Sequence, residues 1–163
     1  MKSEVLIILI FAVTASVMVS CYDSNKAETN FATGQELEVQ ERWEEAIGAY
    51  DQALETNPEY VEALYRKAEV NSRLGKHALA VRDYTKVIRL DPTHIESFFS
   101  RGYTYFTTKQ YQRAVEDMNQ VIKLDPRRAR AYGHRGNAHA QMKLIDKAIA
   151  DYAEAIRLNP DNS

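Results

Sequence analysis

All four prolines of this 163-residue chain recur at one fixed interval. They are Pro58, Pro92, Pro126 and Pro160, each 34 residues after the one before. Self-similarity at a period of about 20–50 residues is typical of a chain built from stacked copies of one small unit. Placing the proline at place 32 divides most of the chain into four units, 27–60, 61–94, 95–128 and 129–162.

Two other places of the unit always carry a small residue. Place 20 is Ala46, Ala80, Ala114 and Ala148, and place 8 is Gly34, Ala68, Gly102 and Gly136. Small residues at fixed places indicate close crossings of two helices, because a larger side chain would force the backbones apart. Such overpacking typically costs about 1–3 kcal/mol.

Each unit contains two stretches with helical periodicity, as at 95–108 and 112–124. Pro92 and Pro126 each follow an aspartate after the second stretch, where proline ends a helix because it cannot continue the hydrogen-bond ladder. The first helix, at about 29–40, has the weakest pattern. The sequence therefore predicts an all-α chain of helical hairpins.

The chain resembles the tetratricopeptide repeat family over 27–162 in its period, in the small residues at places 8 and 20, and in the proline at place 32. Place 24 adds to this resemblance with Tyr50, Tyr84, Met118 and Tyr152. This resemblance implies a right-handed α-solenoid of four tandem helix-turn-helix hairpins. It also implies a scaffold that binds a protein or peptide on a concave face lined by the first helices.

The resemblance places the binding groove at places 2, 5, 9, 12 and 13 of each unit, and a cluster of basic residues at the junction of the last two units adds His134 as a candidate. The candidate residues for peptide binding are Tyr65, Phe99, Tyr103, Phe106, Arg130 and His134. Aromatic rings supply large contact area at low entropic cost, which suits them to anchoring an interface. Two alternatives stay open, since rings such as Phe31 and Phe99 also fill space between hairpins, and the cluster Arg127, Arg128, Arg130 and His134 is also compatible with solvated surface.

Some members of the family grip the carboxyl terminus of a chaperone peptide with lysine, asparagine and arginine. The equivalent residues of the first three units are Phe31, Gln35, Arg66, Glu96 and Ser100. These side chains cannot surround a carboxylate with positive charge. The sequence therefore argues against a cytosolic chaperone adaptor.

A basic residue at place 7 accompanies an aspartate at place 23 in three units. The pairs are Lys67 with Asp83, Arg101 with Asp117, and Arg135 with Asp151. The first unit has Thr33 and Ala49 instead. Joint presence and joint absence predict an ion pair that joins the helices of one hairpin or joins neighbouring hairpins.

The last helix, predicted at 146–158, places apolar residues where a further hairpin would pack. These candidates for a C-terminal interface are Ile149, Tyr152 and Ile156. Terminal repeats usually need a polar outer face. The pattern favours a partner protein or a homo-dimer at this end of the chain. A structural homo-oligomer is therefore the second functional hypothesis beside a peptide-binding scaffold. Alternatively, Arg157 and neighbouring polar groups cover the apolar residues.

The first twenty residues differ from the rest of the chain. Residues 5–19 form an apolar run broken only by Thr14 and Ser16, and Lys2 precedes it. The run is shorter than the roughly 20 residues of a membrane-spanning helix. It predicts a signal peptide over 1–20, with retention as an anchor as the alternative.

Cys21, the only cysteine, follows this run directly after Ser20, which resembles a bacterial lipoprotein signal. The resemblance implies lipidation of Cys21, a short linker over 21–26, and an exported protein held on a membrane facing the periplasm or cell exterior. The alternative is a free thiol beside an ordinary cleavage site.

Composition and spacing argue against other functions. The net charge of −2 provides no field to recruit nucleic acid. No two of the four histidines have the spacing that places both with a carboxylate on one helical face, and no glycine-rich phosphate loop appears. We therefore expect no metal, no cofactor and no enzymatic activity.

Overall fold

The computed structural model describes residues 25–159. Over those residues the chain is all-α, with eight helices and no strand. It divides into two compact units, whose described parts are 25–63 and 64–159. The predicted signal peptide, Cys21 and Pro160 lie outside the described residues.

The helices follow one another as hairpins. In chain order they are α1 (25–39), α2 (Trp43–Thr56), α3 (Val61–Arg73), α4 (His77–Leu90), α5 (Ile95–Thr107), α6 (Tyr111–Leu124), α7 (Ala129–Gln141) and α8 (Ile145–Leu158). The predicted stretches 95–108 and 112–124 differ from α5 and α6 by one residue at one end of each. The weakly patterned first helix is also present, as α1.

In the first unit, α1 crosses α2 at Gly34. A Cβ atom added to Gly34 would lie 2.7 Å from Cδ1 of Tyr50. Any larger residue at position 34 would therefore displace the Tyr50 ring. The Tyr50 ring is fully buried, lies 5.7 Å from the ring of Phe31, and donates a hydrogen bond from its hydroxyl to Glu38. Phe31 also packs on Tyr60, with ring centroids 5.0 Å apart.

The second unit repeats this crossing in each hairpin. A Cβ atom on Gly102 would lie 2.7 Å from Cε of Met118, and one on Gly136 would lie 2.8 Å from Cε1 of Tyr152. The alanine at place 20 of each hairpin in this unit is buried as well. The small residues of places 8 and 20 are therefore explained by helix packing.

Apolar contacts join consecutive hairpins of the second unit. The central cluster combines residues from α5, α6 and α7, with partly buried side chains of α4 and α6 around it. Its buried members are Phe98, Phe99, Met118, Val121 and Ala131. Ile88 of α4 and Ile122 of α6 pack against it. The second helix α4 is thus covered by α5, and α6 is covered by α7.

The predicted ion pairs between places 7 and 23 are confirmed. Lys67 Nζ lies 3.7 Å from Asp83, and Arg101 Nη2 lies 2.7 Å from Asp117. Arg135 likewise donates to Asp151, with Nε–Oδ1 3.0 Å. All three pairs join the two helices of one hairpin.

Both arginines also reach the preceding hairpin. The arginines therefore join the two helices of one hairpin and also connect neighbouring hairpins. Nη1 of Arg101 donates to Thr85 Oγ1 at 3.0 Å, and Nη1 of Arg135 donates to Asn119 Oδ1 at 2.7 Å. Burial raises the pKa of the Asp117 carboxyl, and the hydrogen bonds from Arg101 oppose that shift. Each arginine therefore links three helices.

The turn inside each hairpin uses a left-handed residue at place 15. These residues and their φ angles are Glu41 (58°), Gly75 (72°), Lys109 (60°) and Lys143 (61°). In the third hairpin the amide of Gln110 donates to the carbonyl of Tyr105 at 2.8 Å, closing the end of α5. Only the second hairpin has glycine, the residue that adopts this conformation without strain.

Candidate peptide-binding site

A cleft of about 490 Å³ lies between the first helices of the second unit. Residues from α3, α5 and α7 form its walls, and the buried ring of Tyr84 from α4 contributes to its floor. The lining residues are Glu69, Ser72, Arg73, Tyr84, Phe99, Ser100, Tyr103, Arg130 and His134. The volume falls in the range of about 300–1,000 Å³ found for ligand pockets.

One side of the cleft is aromatic. The His134 ring meets Phe99 edge-on, with centroids 5.1 Å apart, and meets Tyr103 in the same way at 5.5 Å. Phe99 is nearly buried, whereas Tyr103 keeps 47% of its surface exposed. Edge-to-face contacts of this kind hold rings in fixed positions. The cleft thus offers a preformed apolar surface with one accessible tyrosine.

Positive charge lies beside this surface. The guanidinium of Arg130 stands over the Phe99 ring, 5.1 Å from its centroid. Over the described residues Arg130 makes no ion pair and no hydrogen bond, and its side chain is exposed. Its neighbour Arg128 is committed, because it donates two hydrogen bonds to Glu96 at 2.8 and 2.6 Å. Arg130 is therefore the cation of this wall that remains available to a ligand.

The surroundings of His134 favour the neutral form of its imidazole. Burial lowers the pKa of its imidazole, and the nearby charge of Arg130 lowers it further. Neutral imidazole donates one hydrogen bond and accepts another. On the facing wall, Glu69 accepts a hydrogen bond from the hydroxyl of Tyr84 at 2.6 Å, which fixes the position of this carboxylate.

Four of the six predicted groove residues line the cleft, namely Phe99, Tyr103, Arg130 and His134. The other two pack elsewhere. Tyr65 lies half-buried between Tyr84, at 6.0 Å, and His94, at 5.1 Å. Phe106 packs on Tyr111 at 5.6 Å, in a cluster between the third and fourth hairpins. Contact of any of the six with a peptide stays a prediction.

Three family-model matches cover 31–95, 95–128 and 129–162, and each is described as a tetratricopeptide repeat. Together they span most of the chain. The chain is a tetratricopeptide repeat protein.

Solved structures agree with this assignment. MamA from Desulfovibrio magneticus RS-1 (41-end) is 27% identical, with a TM-score of 0.79 over 83% of this chain and 76% of that one. Another MamA structure is 21% identical, with a TM-score of 0.81 over 93% and 88%. YrrB, described as a TPR protein with an unusual peptide-binding site, is 22% identical, with a TM-score of 0.77 over 94% and 82%. No curated protein matches the sequence closely enough to count as a relative.

The fold is therefore the all-α solenoid of tetratricopeptide repeat proteins. Members of this family are generally non-catalytic scaffolds, and the repeats of this chain make it a scaffold for protein–protein interaction. Among the described residues no cluster of histidine, cysteine, aspartate or glutamate is arranged to hold a metal ion. None of the helices between residues 25 and 159 combines the length and the hydropathy of a transmembrane segment.

The sequence-based selection of groove residues missed five that line the cleft. Glu69, Ser72 and Arg73 occupy places 9, 12 and 13, which the tetratricopeptide resemblance already assigned to the groove. Beyond their places in the repeat, these three residues carry no signal in the sequence that points to binding. Ser100 and Tyr84 occupy places 6 and 24, and no signal in the sequence distinguishes them from packing residues.

The last helix of this tetratricopeptide protein exposes the three apolar residues that its sequence predicts there, Ile149, Tyr152 and Ile156, together with Ile145. Beside them, Gly133 and Ala155 line a smaller cavity of about 160 Å³ between α7 and α8. The role of this face as an interface stays a prediction at this point.

Proposed function

We propose that the chain is a binding scaffold whose cleft between α3, α5 and α7 takes an extended peptide with a carboxylate next to an apolar side chain. The observation that carries this proposal is the position of Arg130, which lies over Phe99 and beside His134 without an ion-pair partner among the described residues. A guanidinium binds a carboxylate through two parallel hydrogen bonds, which favours an acidic ligand group here.

The surroundings of Arg130 specify the rest of the ligand. Tyr103 and Phe99 provide an apolar contact directly beside the guanidinium. Tyrosine and arginine are also the residue types that contribute most binding energy in interfaces. An apolar ligand side chain on Tyr103, adjacent to an acidic group on Arg130, uses both features of this wall.

A random octapeptide display library selected against the full chain tests the proposal. We expect the enriched peptides to carry aspartate or glutamate next to an apolar residue. Resynthesised peptides should bind Arg130→Ala at least about tenfold more weakly by calorimetry, a loss of about 1.4 kcal/mol. Arg127→Ala is the matched control, because Arg127 is exposed in the same region but does not line the cleft.

Two results would contradict the proposal. One is enrichment without any preference for acidic residues, and the other is equal weakening by Arg130→Ala and Arg127→Ala. A control peptide with glutamine in place of glutamate distinguishes the effect of the negative charge from the effect of side-chain shape. We expect this change to abolish the difference between wild type and Arg130→Ala.

We also propose that the scaffold works in the bacterial cell envelope, held by a lipid on Cys21. Support comes from the apolar run over 5–19 and the small residue Ser20 before the cysteine. Mass spectrometry of the chain made in a bacterial host should show cleavage before Cys21 and a diacylglycerol-sized increase. Cys21→Ser should lose that increase, and an uncleaved, unmodified chain would refute the anchor.

A further inference from the structure

We propose that α8 is a self-association surface, through which two copies of the chain pair antiparallel about a twofold axis. The surface is an apolar stripe along the outward side of α8. Its members are Ile145, Ile149, Tyr152 and Ile156. Their spacing of four, three and four residues places all of them on one face of the helix. A contiguous apolar patch of this kind marks an interaction site.

The equivalent places of the preceding hairpin show how large the exposure is. Ile149 is 60% exposed, whereas Val115 at the same place of α6 is 7% exposed. Tyr152 is 36% exposed, whereas Met118 is 1% exposed. In α6 these places are covered by α7 of the next hairpin. The stripe on α8 thus has the composition of a covered face, but no described residue covers it.

A head-to-tail stack of two copies does not provide the missing cover. That arrangement would place α1 of one copy on α8 of the other. In α5, contact with the preceding hairpin is made by Phe98 and Arg101, at places 4 and 7. The same places of α1 are Asn30 and Thr33, which are polar.

The threonines of α1 are also satisfied within their own helix. Thr29 and Thr33 donate their hydroxyl hydrogens to backbone carbonyls one turn earlier, at 2.8 and 3.0 Å. If the apolar stripe of α8 packed against this polar face, the threonine hydroxyls would be buried and the stripe would gain no apolar contacts. A head-to-tail contact also leaves a free end at each step, whereas pairing of like surfaces closes as a dimer.

Charge placement selects an antiparallel pairing of α8 with itself. With 100° of rotation per residue, Asp146 and Arg157 flank the stripe on the same side, one near each end of α8. A twofold axis perpendicular to the helices brings Asp146 of each copy opposite Arg157 of the other, twice. A parallel pairing would leave both of these contacts unformed.

The groups on this flank are compatible with such a contact. Asp146 has no ion pair among the described residues. Arg157 donates to Glu154 of its own helix through Nε at 2.8 Å and Nη2 at 2.6 Å, and its Nη1 is left to meet Asp146 of the second copy. Ala150 and Ala153 lie between them on the same flank and are exposed, so the two helices can approach closely. An interface made by one helix pair falls below the roughly 1,200 Å² of stable complexes, so we expect a dimer that dissociates at micromolar concentration.

Sedimentation velocity of the full chain in mild detergent, over a range of micromolar concentrations, tests this proposal. We expect a concentration-dependent dimer that Ile149→Glu weakens at least tenfold. Val39→Glu is the matched control, because Val39 is 85% exposed on α1 and receives the same charge. We choose Ile149 rather than Tyr152, since the Tyr152 ring packs on Gly136 and its loss would disturb folding.

Charge exchange tests the antiparallel register separately. Asp146→Arg and Arg157→Asp should each weaken the dimer, and the double variant should restore it. Three results would overturn the proposal: a monomer at every concentration, a dimer equally sensitive to Ile149→Glu and Val39→Glu, or a double variant weaker than either single one. None of these measurements involves the cleft, so the peptide-binding proposal stands or falls independently.

Discussion

The guanidinium of Arg101 donates two hydrogen bonds to the carboxylate of Asp117, with Nε–Oδ2 2.9 Å and Nη2–Oδ1 2.7 Å. Both side chains are largely buried, so the two charges neutralise one another away from water. A pair in this setting stabilises the fold mainly because neither partner can lose the other without leaving a buried charge.

Replacing Arg101 by alanine should therefore destabilise the protein strongly. Loss of one partner of a buried pair typically costs about 3–5 kcal/mol. Arg113→Ala serves as the control, because Arg113 is exposed and its contacts with described residues are a hydrogen bond to Gln110 and a cation–π contact with Tyr105. Thermal unfolding followed by circular dichroism compares them, and equal losses would show that the Arg101 pair has no special role.

The crossing of α5 and α6 should not tolerate a methyl group at place 8. In Gly102→Ala the new Cβ would lie 2.9 Å from the Cβ of Asp117, so the helices must separate. We expect a net loss of about 1–2 kcal/mol. Gly48→Ala should instead stabilise the protein by about 0.5–1 kcal/mol, since nothing lies within 4 Å of the added atom and alanine favours helix. Denaturant titration measures both, and losses of the same size would exclude a packing effect.

The left-handed turn residues offer a stabilising substitution. Lys109 has φ of 60°, a conformation that costs an L-residue about 1–2 kcal/mol and glycine almost nothing. Lys109→Gly should raise the free energy of unfolding by about 1 kcal/mol. Lys123→Gly, within α6, should lower it by a similar amount. A decrease for both would mean that the turn contributes no strain.

The lowered pKa of His134 predicts acid sensitivity. The unfolded chain binds a proton at His134 near pH 6.5, while the folded chain binds it only at lower pH. The folded state is therefore disfavoured as pH falls below about 6.5, down to the folded pKa. Chemical denaturation at pH 7.5 and pH 5.5 should show a smaller loss for His134→Gln than for wild type, and an equal loss would contradict the assignment.

The sequence predicts the hairpins well because their cause is local and repeated. Helical periodicity, small residues at crossings and proline after the second helix act within 34 residues and recur in each unit. The ion pair of Arg135 and Asp151 was likewise visible as a correlation between two places. In contrast, Nδ1 of His139 lies 2.8 Å from Oδ2 of Asp151. The other units have no histidine at this place, so no repeated pattern predicts the contact.

The cleft was predicted only in part, because one place of the repeat serves different purposes in different units. Place 5 carries Tyr65 in the second unit and Phe99 in the third, yet only Phe99 lines the cleft. Phe106 was expected there and instead packs between hairpins. Such differences depend on the rotamers and neighbours of each ring, which the pattern of residue types does not contain.

The first hairpin has Thr33 and Ala49 where the other three have a cation and an aspartate. In repeat proteins the whole is held by the stability of each repeat and its coupling to the neighbours. We therefore expect the first hairpin to melt before the others as the chain is heated. Trp43, the only tryptophan, lies in α2 and reports this step by fluorescence, and a midpoint coinciding with that of total helix content would contradict it. Heating is therefore expected to unfold this protein progressively, beginning with its first hairpin.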